Sequence, residues 1–332
     1  MWELIGDTIK SWPGKLWGGI KNRIKNMTGE TWKFLAFVFM GALFFYYLIG
    51  MALINKIDDQ ANFQPKLEYQ IPEGSSTVSK IVGLIDREVN DYGWVMNDPI
   101  FKPGWLLDNM PNYQQGMFSS FARFSLELRD QIGRTRGTSA SDVDLEEAAG
   151  LLPYPGDVWV FNFSTSLLPT ASAERQYLTA LKALQSYNKR LATGEAVFER
   201  RGDNLMATLD RVALDLGSSS AAIDAQLTES SNDFIDTKAD DLFYNIKGQT
   251  YGYYQILLGL RVDYAQLIDT RELGPVFDQM LNSFAEINKL DPWVFVNGEI
   301  DGQILPNHLT AQGFYLLSAR AQLREITNIL LK

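Results

Sequence analysis

The longest apolar run in this sequence extends from Phe34 to Ile54, twenty-one residues without a charged side chain. At about 1.5 Å per residue, a helix of this length crosses the roughly 30 Å hydrocarbon core of a bilayer. A helix satisfies its own backbone hydrogen bonds in lipid, whereas a lone strand does not. A buried helix of a large globular domain is the alternative, but such helices rarely stay so apolar for so long. The pattern predicts a transmembrane helix over residues 34–54.

A second pattern precedes the span, where apolar residues recur at three- and four-residue steps, the period of one helix face. Basic residues fall mostly between them. A basic amphipathic helix lies in the headgroup layer, so residues 1–33 predict a segment on the membrane surface, and residues 1–54 are expected to contact lipid. A leader without fixed structure and docking against a helix of another membrane protein remain alternatives. The predicted interface residues are Trp2, Trp12, Trp17, Lys10, Lys15 and Lys21.

Charge is distributed unequally on the two sides of the span. Residues 1–33 contain six basic and three acidic side chains, a net of +3, while residues 55–332 contain 24 basic and 37 acidic ones, a net of −13. Basic residues beside the first end of a span keep that end in the cytoplasm. The predicted location is therefore a bacterial inner membrane, with the amino terminus in the cytoplasm and the large carboxy-terminal part in the periplasm.

A cleaved signal peptide would also begin with a basic segment and an apolar stretch. The apolar stretch here exceeds the usual core of about 7 to 15 residues, and no clean small-x-small cleavage site follows Ile54. An uncleaved, single-pass signal anchor is favoured.

The remainder of the sequence predicts a polar stalk or linker over residues 55–78, followed by an extracytoplasmic helical domain over residues 79–332. Helical periodicity predicts a mainly α fold, a helical bundle behind one transmembrane helix. The sequence does not decide between one domain and two. The predicted helices cover about 75–90, 112–132, 172–199, 205–216, 234–269, 273–287 and 309–331, with a Ser-rich turn at 218–220 leading into a shorter helix.

Two stretches have strand-like patterns instead. Asp157 to Phe163 alternates apolar and polar residues, and Trp293 to Leu305 contains Asn-Gly and Asp-Gly turn signals. The two could pair as a small β ribbon.

Few side chains offer catalytic chemistry. The chain has no cysteine, which excludes thiol nucleophiles, disulfides and thiolate metal sites, and His308 is its only histidine. Ser186 and Lys189 match S-x-x-K, but the companion elements of penicillin-binding enzymes are missing. We therefore expect a protein that is not an enzyme and holds no cofactor, and the acidic balance argues against a nucleic-acid partner.

Acidic residues form two clusters, Asp142 to Glu147 and Asp233 to Asp241. Neither has the glycine and terminal glutamate of an EF-hand loop. A solvated helix face or a helix start is the favoured interpretation. A carboxylate-dependent cell-wall hydrolase is the catalytic alternative.

A dense aromatic segment lies between the first two predicted helices of the domain, and its prolines prevent it from forming one helix. It either closes the bundle core, which is favoured, or exposes aromatic side chains to a partner or to lipid. An exposed basic turn follows the second helix, and it could bind an anion. The candidate interaction surface comprises Trp94, Phe101, Trp105, Tyr113, Arg134 and Arg136.

The segment from Gly93 to Gly116, GWVMNDPIFKPGWLLDNMPNYQQG, resembles a proteobacterial family known only as a domain of unknown function. The likeness extends over most of the chain, including one amino-terminal span. It implies an inner-membrane protein and supplies no catalytic or binding residues.

These observations predict a membrane-anchored scaffold or accessory subunit of a bacterial envelope assembly, with a protein partner or a second copy of itself. Binding of a lipid or hydrophobic ligand within the bundle is the second hypothesis, and the cell-wall hydrolase is the third.

Overall fold

The computed structural model of the chain describes residues 28–134, 141–161, 168–229, 237–292 and 307–332. It divides into two compact units, Met1–Ala52 and Leu53–Lys332. Helix α1, Gly29–Ile54, has no buried residue and is long and apolar enough to cross a membrane. It begins before the apolar run itself. The predicted interface residues Trp2, Trp12, Trp17, Lys10, Lys15 and Lys21 lie outside the described residues.

The second unit is a helical bundle, so the predicted mainly α fold is confirmed. One core of aromatic and aliphatic side chains is shared by most of its helices. The helices are α2 Ser76–Asp86, α3 Asn109–Glu127, α4 Val143–Leu151, α5 Ala173–Thr193, α6 Gly202–Glu229, α7 Thr237–Asp263, α8 Ala265–Thr270, α9 Gly274–Asn288 and α10 His308–Leu330, with wider turns over Arg87–Asp91 and Leu128–Ile132 that extend α2 and α3.

Local sequence signals set several helix ends. The Ser75 hydroxyl accepts a hydrogen bond from the amide of Val78 at the start of α2, which makes Ser75 the N-cap of this helix. Asp142 caps α4 in the same way, so the first acidic cluster marks a helix start. Helix α5 ends at Thr193 because its C-cap, Gly194, is left-handed with a φ of 76°, and the predicted extension to residue 199 is wrong.

The Ser-rich turn predicted at 218–220 is also wrong, because α6 runs through it without a break. The hydroxyls of Ser218, Ser219 and Ser220 each donate to the carbonyl four residues earlier. The serines therefore bond within the helix instead of capping a new one. The long helix predicted over 234–269 is interrupted at Tyr264, which separates α7 from α8.

The β ribbon is not observed among the described residues. The segment from Asp157 to Phe161 contains no strand. Its Val158 and Val160 carbonyls instead accept hydrogen bonds from the amides of Ala173 and Thr170 at the entrance to α5. The predicted partner segment, 293–305, lies outside the described residues.

Helices α3 and α7 pack closely, because glycines stand at their contact. A Cβ atom on Gly116 would lie 1.9 Å from the carbonyl oxygen of Asn245, and one on Gly248 would lie 1.9 Å from that of Tyr113. Gly252, one turn after Gly248, faces Ser120. The backbones approach more closely than side chains permit, which fixes the position of α3 on α7.

The segment predicted as a stalk packs against α2, α3 and α7, and buried side chains bind its backbone carbonyls. Arg87 and Tyr113 donate to the Asp58 carbonyl, at 2.8 and 2.9 Å. Tyr251 donates to the Gln60 carbonyl, and Lys80 to that of Phe63. Residues 58–63 therefore form a strap that the buried polar side chains of the second unit hold against its helices.

Candidate interaction surface

Part of the loop between α2 and α3 has polar residues inside and apolar residues outside, although Trp94 and Val95 of the same loop are buried. Asn97 and Asp98 are buried, at 5% and 8% exposure. Four apolar residues that follow are about half or more exposed: Ile100 63%, Phe101 59%, Trp105 50% and Leu106 49%. We call these four residues the outer aromatic surface. Folding normally buries such residues and exposes the polar ones, so this arrangement requires another explanation.

Hydrogen bonds fix the inner side of the loop. The Asn97 amide donates to the Val158 carbonyl at 2.9 Å and to the Glu174 carboxylate at 2.8 Å. Asp98 accepts from the ammonium of Lys102 at 2.7 Å. These bonds specify the conformation of the loop, so the outward position of its apolar side chains is a property of the folded state.

Two of the predicted surface residues belong to the core instead. Trp94 is 3% exposed, donates to the Gly156 carbonyl at 2.7 Å and packs edge-on against Phe118 and Tyr177. Tyr113 is fully buried and its hydroxyl binds the strap. Neither residue is accessible to a partner in this fold.

The structure separates the other predicted surface residues as well. Phe101 and Trp105 are exposed in the same loop. Arg134 is half-buried at the end of the α3 extension, and Arg136 lies outside the described residues. The anion-binding role of this basic turn stays a prediction.

Sequence reasoning did not select three neighbours of these aromatics. Ile100 and Leu106 are exposed beside Phe101 and Trp105. Trp159 lies edge-on to Phe101, with ring centroids 5.9 Å apart. The available signal was the alternation of apolar and polar residues around Trp159. In the structure this segment forms no sheet, and it places an aromatic ring beside the loop.

The second unit also contains a buried ion-pair network beneath the strap. Arg87, 5% exposed, pairs with the fully buried Glu88 at 2.8 Å and with Asp58 of the strap at 3.3 Å. Gln114 donates to the second oxygen of Glu88 at 3.1 Å. Every charge in this group has a partner, which is the condition under which buried charges are tolerated. We assign to this ion-pair network the role of holding the strap against the helices.

Two acidic residues of the second cluster, Asp240 and Asp241, lie near Asp108 at the starts of α3 and α7, while Asp233 and Asp236 lie outside the described residues. Burial, together with the charges of Asp108 and Asp241, raises the pKa of Asp240 to about 6. Asp241 accepts a hydrogen bond from Asn112 at 2.8 Å. No group of three or more acidic, histidine or cysteine side chains suited to a metal ion occurs among the described residues.

The residues of the remaining sequence motifs make packing contacts and hydrogen bonds within the fold. Tyr187 and Asn188 inside the S-x-x-K match are buried, and Asn188 accepts a hydrogen bond from the Ser75 amide. Arg190 binds Asp142 and Asp144 of the first acidic cluster, joining α5 to α4. His308 begins α10 and its ring lies edge-on to Phe243.

The arrangement defines a class of protein: a helical domain preceded by one helix long enough to span a membrane, with an aromatic surface held outward. The chain belongs to a family described as uncharacterized proteins conserved in bacteria (DUF2333), whose model matches residues 25–238. The matched part contains the apolar helix and the aromatic loop. Comparisons with curated proteins and with solved structures found no match.

Proposed function

We propose that this chain is a membrane-anchored, non-enzymatic scaffold or accessory subunit of the bacterial envelope, which binds a protein partner through the outer aromatic surface. The observation that carries the proposal is the arrangement of residues 97–106 in this loop. Asn97 and Asp98 are buried and hydrogen-bonded, while the four residues of the outer aromatic surface are about half or more exposed.

The composition of the surface favours a protein partner. Trp105 and Phe101 supply the large, rigid contact area that dominates binding energy in protein interfaces. Lys102, paired with Asp98, adds a charge at the edge of the apolar group. An apolar centre with a polar rim is the usual anatomy of a specific protein interface.

The proposed anchor is α1, with the amino terminus in the cytoplasm and the second unit in the periplasm. The excess of basic residues before α1 supports this orientation. Contacts of residues 1–54 with lipid belong to the same proposal.

Affinity capture after crosslinking tests partner binding. The full-length tagged chain is purified from its native membranes as wild type and as the double variant Trp105→Ser/Leu106→Ser. The matched control is Phe314→Ser/Leu317→Ser, which removes two other exposed apolar side chains, both on α10. Two differently tagged copies of the chain report self-association.

We expect one stoichiometric crosslinked partner, or a second copy, with the wild type and the α10 variant. The Trp105/Leu106 variant should retain less than about a tenth of it, as the loss of a Trp hot spot of 2 kcal/mol or more implies. Equal recovery with all three proteins, or loss only in the α10 variant, would contradict the proposal.

A further inference from the structure

The chain joins the bundle almost immediately after α1 ends. Leu53 and Ile54, the last residues of α1, already belong to the second unit. The backbone amide of Lys56 donates a hydrogen bond to the sulfur of Met110, at 3.3 Å. Two residues of extended chain reach at most about 7 Å. The start of α3, where Met110 lies, is therefore close to the end of the apolar helix.

Further contacts hold Lys56 and the residues that follow it. The Lys56 ammonium lies 5.5 Å from the centre of the Tyr92 ring, and the Tyr92 hydroxyl donates to the Asp58 carboxylate at 2.8 Å. Asp59 pairs with the fully buried Lys247 of α7, also at 2.8 Å. The chain is therefore held on the second unit from the second residue after α1 onward.

Three helix ends lie together at this point. Tyr92 directly follows the extension of α2, and Met110 lies in the first turn of α3. The Asn112 amide of α3 donates to the Asp241 carboxylate at the start of α7, at 2.8 Å. Lys56 is therefore next to the place where α2 finishes and where α3 and α7 begin.

The same three helices extend away from this point side by side. Helices α3 and α7 stay in contact further along, where Gly252 faces Ser120. Helix α2 runs in the opposite direction, because Thr77 at its start contacts Gly259 near the end of α7. Lys56 thus lies at one end of these three helices and not along their sides.

The distance from α1 to this end of the helices fits the headgroup layer of a bilayer. Each headgroup layer is roughly 5–7 Å thick outside the hydrocarbon core. A residue within about 7 Å of Ile54, where the apolar run ends, lies in that layer. Lys56 and Tyr92 are suited to it, because lysine and tyrosine side chains anchor proteins at the membrane interface.

We infer that the second unit stands end-on on the bilayer, with the end of the α2 extension and the start of α3 in contact with lipid headgroups. The inference rests on the proposed role of α1 as the membrane anchor. It adds a surface of the second unit to the proposed lipid contacts of residues 1–54. Asn90, Asp91 and Asp108 are exposed on this surface.

Depth-dependent fluorescence quenching of the full-length chain tests this orientation. Single cysteines are introduced into the cysteine-free chain and labelled with bimane. The protein is reconstituted into vesicles of phosphatidylethanolamine and phosphatidylglycerol that carry a nitroxide either on the headgroup or within the acyl chain. The labelled variants are Phe44→Cys within α1, Asn55→Cys directly after it, Asp91→Cys on the proposed contact surface, and Gln131→Cys as the control.

The control position matches the test position. Gln131 is exposed in the extension of α3, as Asp91 is exposed in the extension of α2. It lies roughly 30 Å along the helix from Met110. Asp91 forms an exposed ion pair with Lys66, and such pairs contribute little to stability, so its replacement should leave the fold intact.

We expect the acyl-chain nitroxide to quench the label at position 44 most strongly, which reports that α1 is inside the bilayer. The headgroup nitroxide should quench the labels at positions 55 and 91 to within about twofold of each other. It should quench the label at 131 at least about threefold less, because the quenching layer is only about 6 Å thick.

Two results would overturn the inference and leave the anchor intact, as long as position 44 is quenched from the acyl chain. Quenching at 91 no stronger than at 131 would mean that this end is held off the membrane. Strong and equal quenching at 91 and 131 would mean that the second unit lies on its side. Lack of quenching at 44 would instead overturn the anchor itself, and the end-on orientation with it.

Discussion

At the scale of single residues, the effect of a side chain in this protein depends on what it contacts more than on its type. Aromatic residues 94 to 105 of one loop divide between the core and the surface. Carboxylates divide in the same way: Asp142 is held by Arg190, whereas Asp240 has other acids as neighbours.

Replacing Asp240 by asparagine should stabilise the protein at neutral pH. Its pKa rises from 3.8 to about 6 in the folded state, so folding favours the protonated form. The resulting penalty is absent below pH 3.8, grows as pH rises to about 6, and is constant above that. After allowance for partial exposure, Asp240→Asn should gain about 1–2 kcal/mol at pH 7 and nothing at pH 3.5.

Denaturant unfolding of the full chain in detergent at the two pH values measures this effect. Asp210→Asn, at an exposed position on α6, is the matched control. An equal effect of Asp240→Asn at both pH values would mean that its charge is not the cause.

At the scale of helices, periodicity in the sequence predicted where most elements lie but not how closely they pack. Apolar residues at three- and four-residue steps correctly indicated α2, α3, α9 and α10, because each buries one face. The close contact of α3 with α7 was missed. Its signal in the sequence was the four-residue spacing of the small residues Gly248 and Gly252.

Gly248→Ala should destabilise the protein by about 3 kcal/mol or more, because the new methyl group would overlap the Tyr113 carbonyl unless the helices separate. Gly150→Ala is the control: that glycine is also helical, and nothing lies within 4 Å of its added Cβ. It should be neutral or stabilising by up to about 1 kcal/mol. Thermal unfolding followed by circular dichroism compares the two, and equal effects would disprove the tight contact.

The polar composition of the strap explains why it was predicted to be a stalk. Most of its side chains are hydrophilic. The structure holds the strap through hydrogen bonds to its backbone carbonyls, and side-chain hydropathy contains no information about these bonds. The partners on the helices, Arg87, Tyr113 and Tyr251, are chemically able to reach such carbonyls. Only the fold brings them together.

Arg87→Met should release the strap and cost about 3–5 kcal/mol, because it leaves the Glu88 carboxylate buried without its cation. The double variant Arg87→Met/Glu88→Gln should recover part of that loss. Limited proteolysis reports strap release as new cleavage after Lys56. If the single and double variants unfold alike and the strap stays protected, the ion pair does not hold it.

At the scale of the whole molecule, α1 and the charge distribution predict which side of the membrane each part occupies. The fold class was predictable from sequence because long periodic helices dominate it. The outward position of Phe101 and Trp105 was not, because an aromatic loop between helices usually covers a core.

Because the chain has no cysteine, single cysteines introduced by mutation report its membrane topology directly. Glu147→Cys, at an exposed position on α4, should react with a membrane-impermeant maleimide in spheroplasts. Ser11→Cys, before the span, should react only after lysis. The reverse labelling pattern would invert the proposed orientation.

The most direct test of partner binding is photocrosslinking in living cells at position 100, which leaves Trp105 in place. Replacing the exposed Ile100 with a benzophenone amino acid should give one discrete adduct with a protein, and the same replacement at Phe314 on α10 should give none. An adduct at 314 alone, or no protein adduct at 100, would contradict the claim that the outer aromatic surface binds a partner.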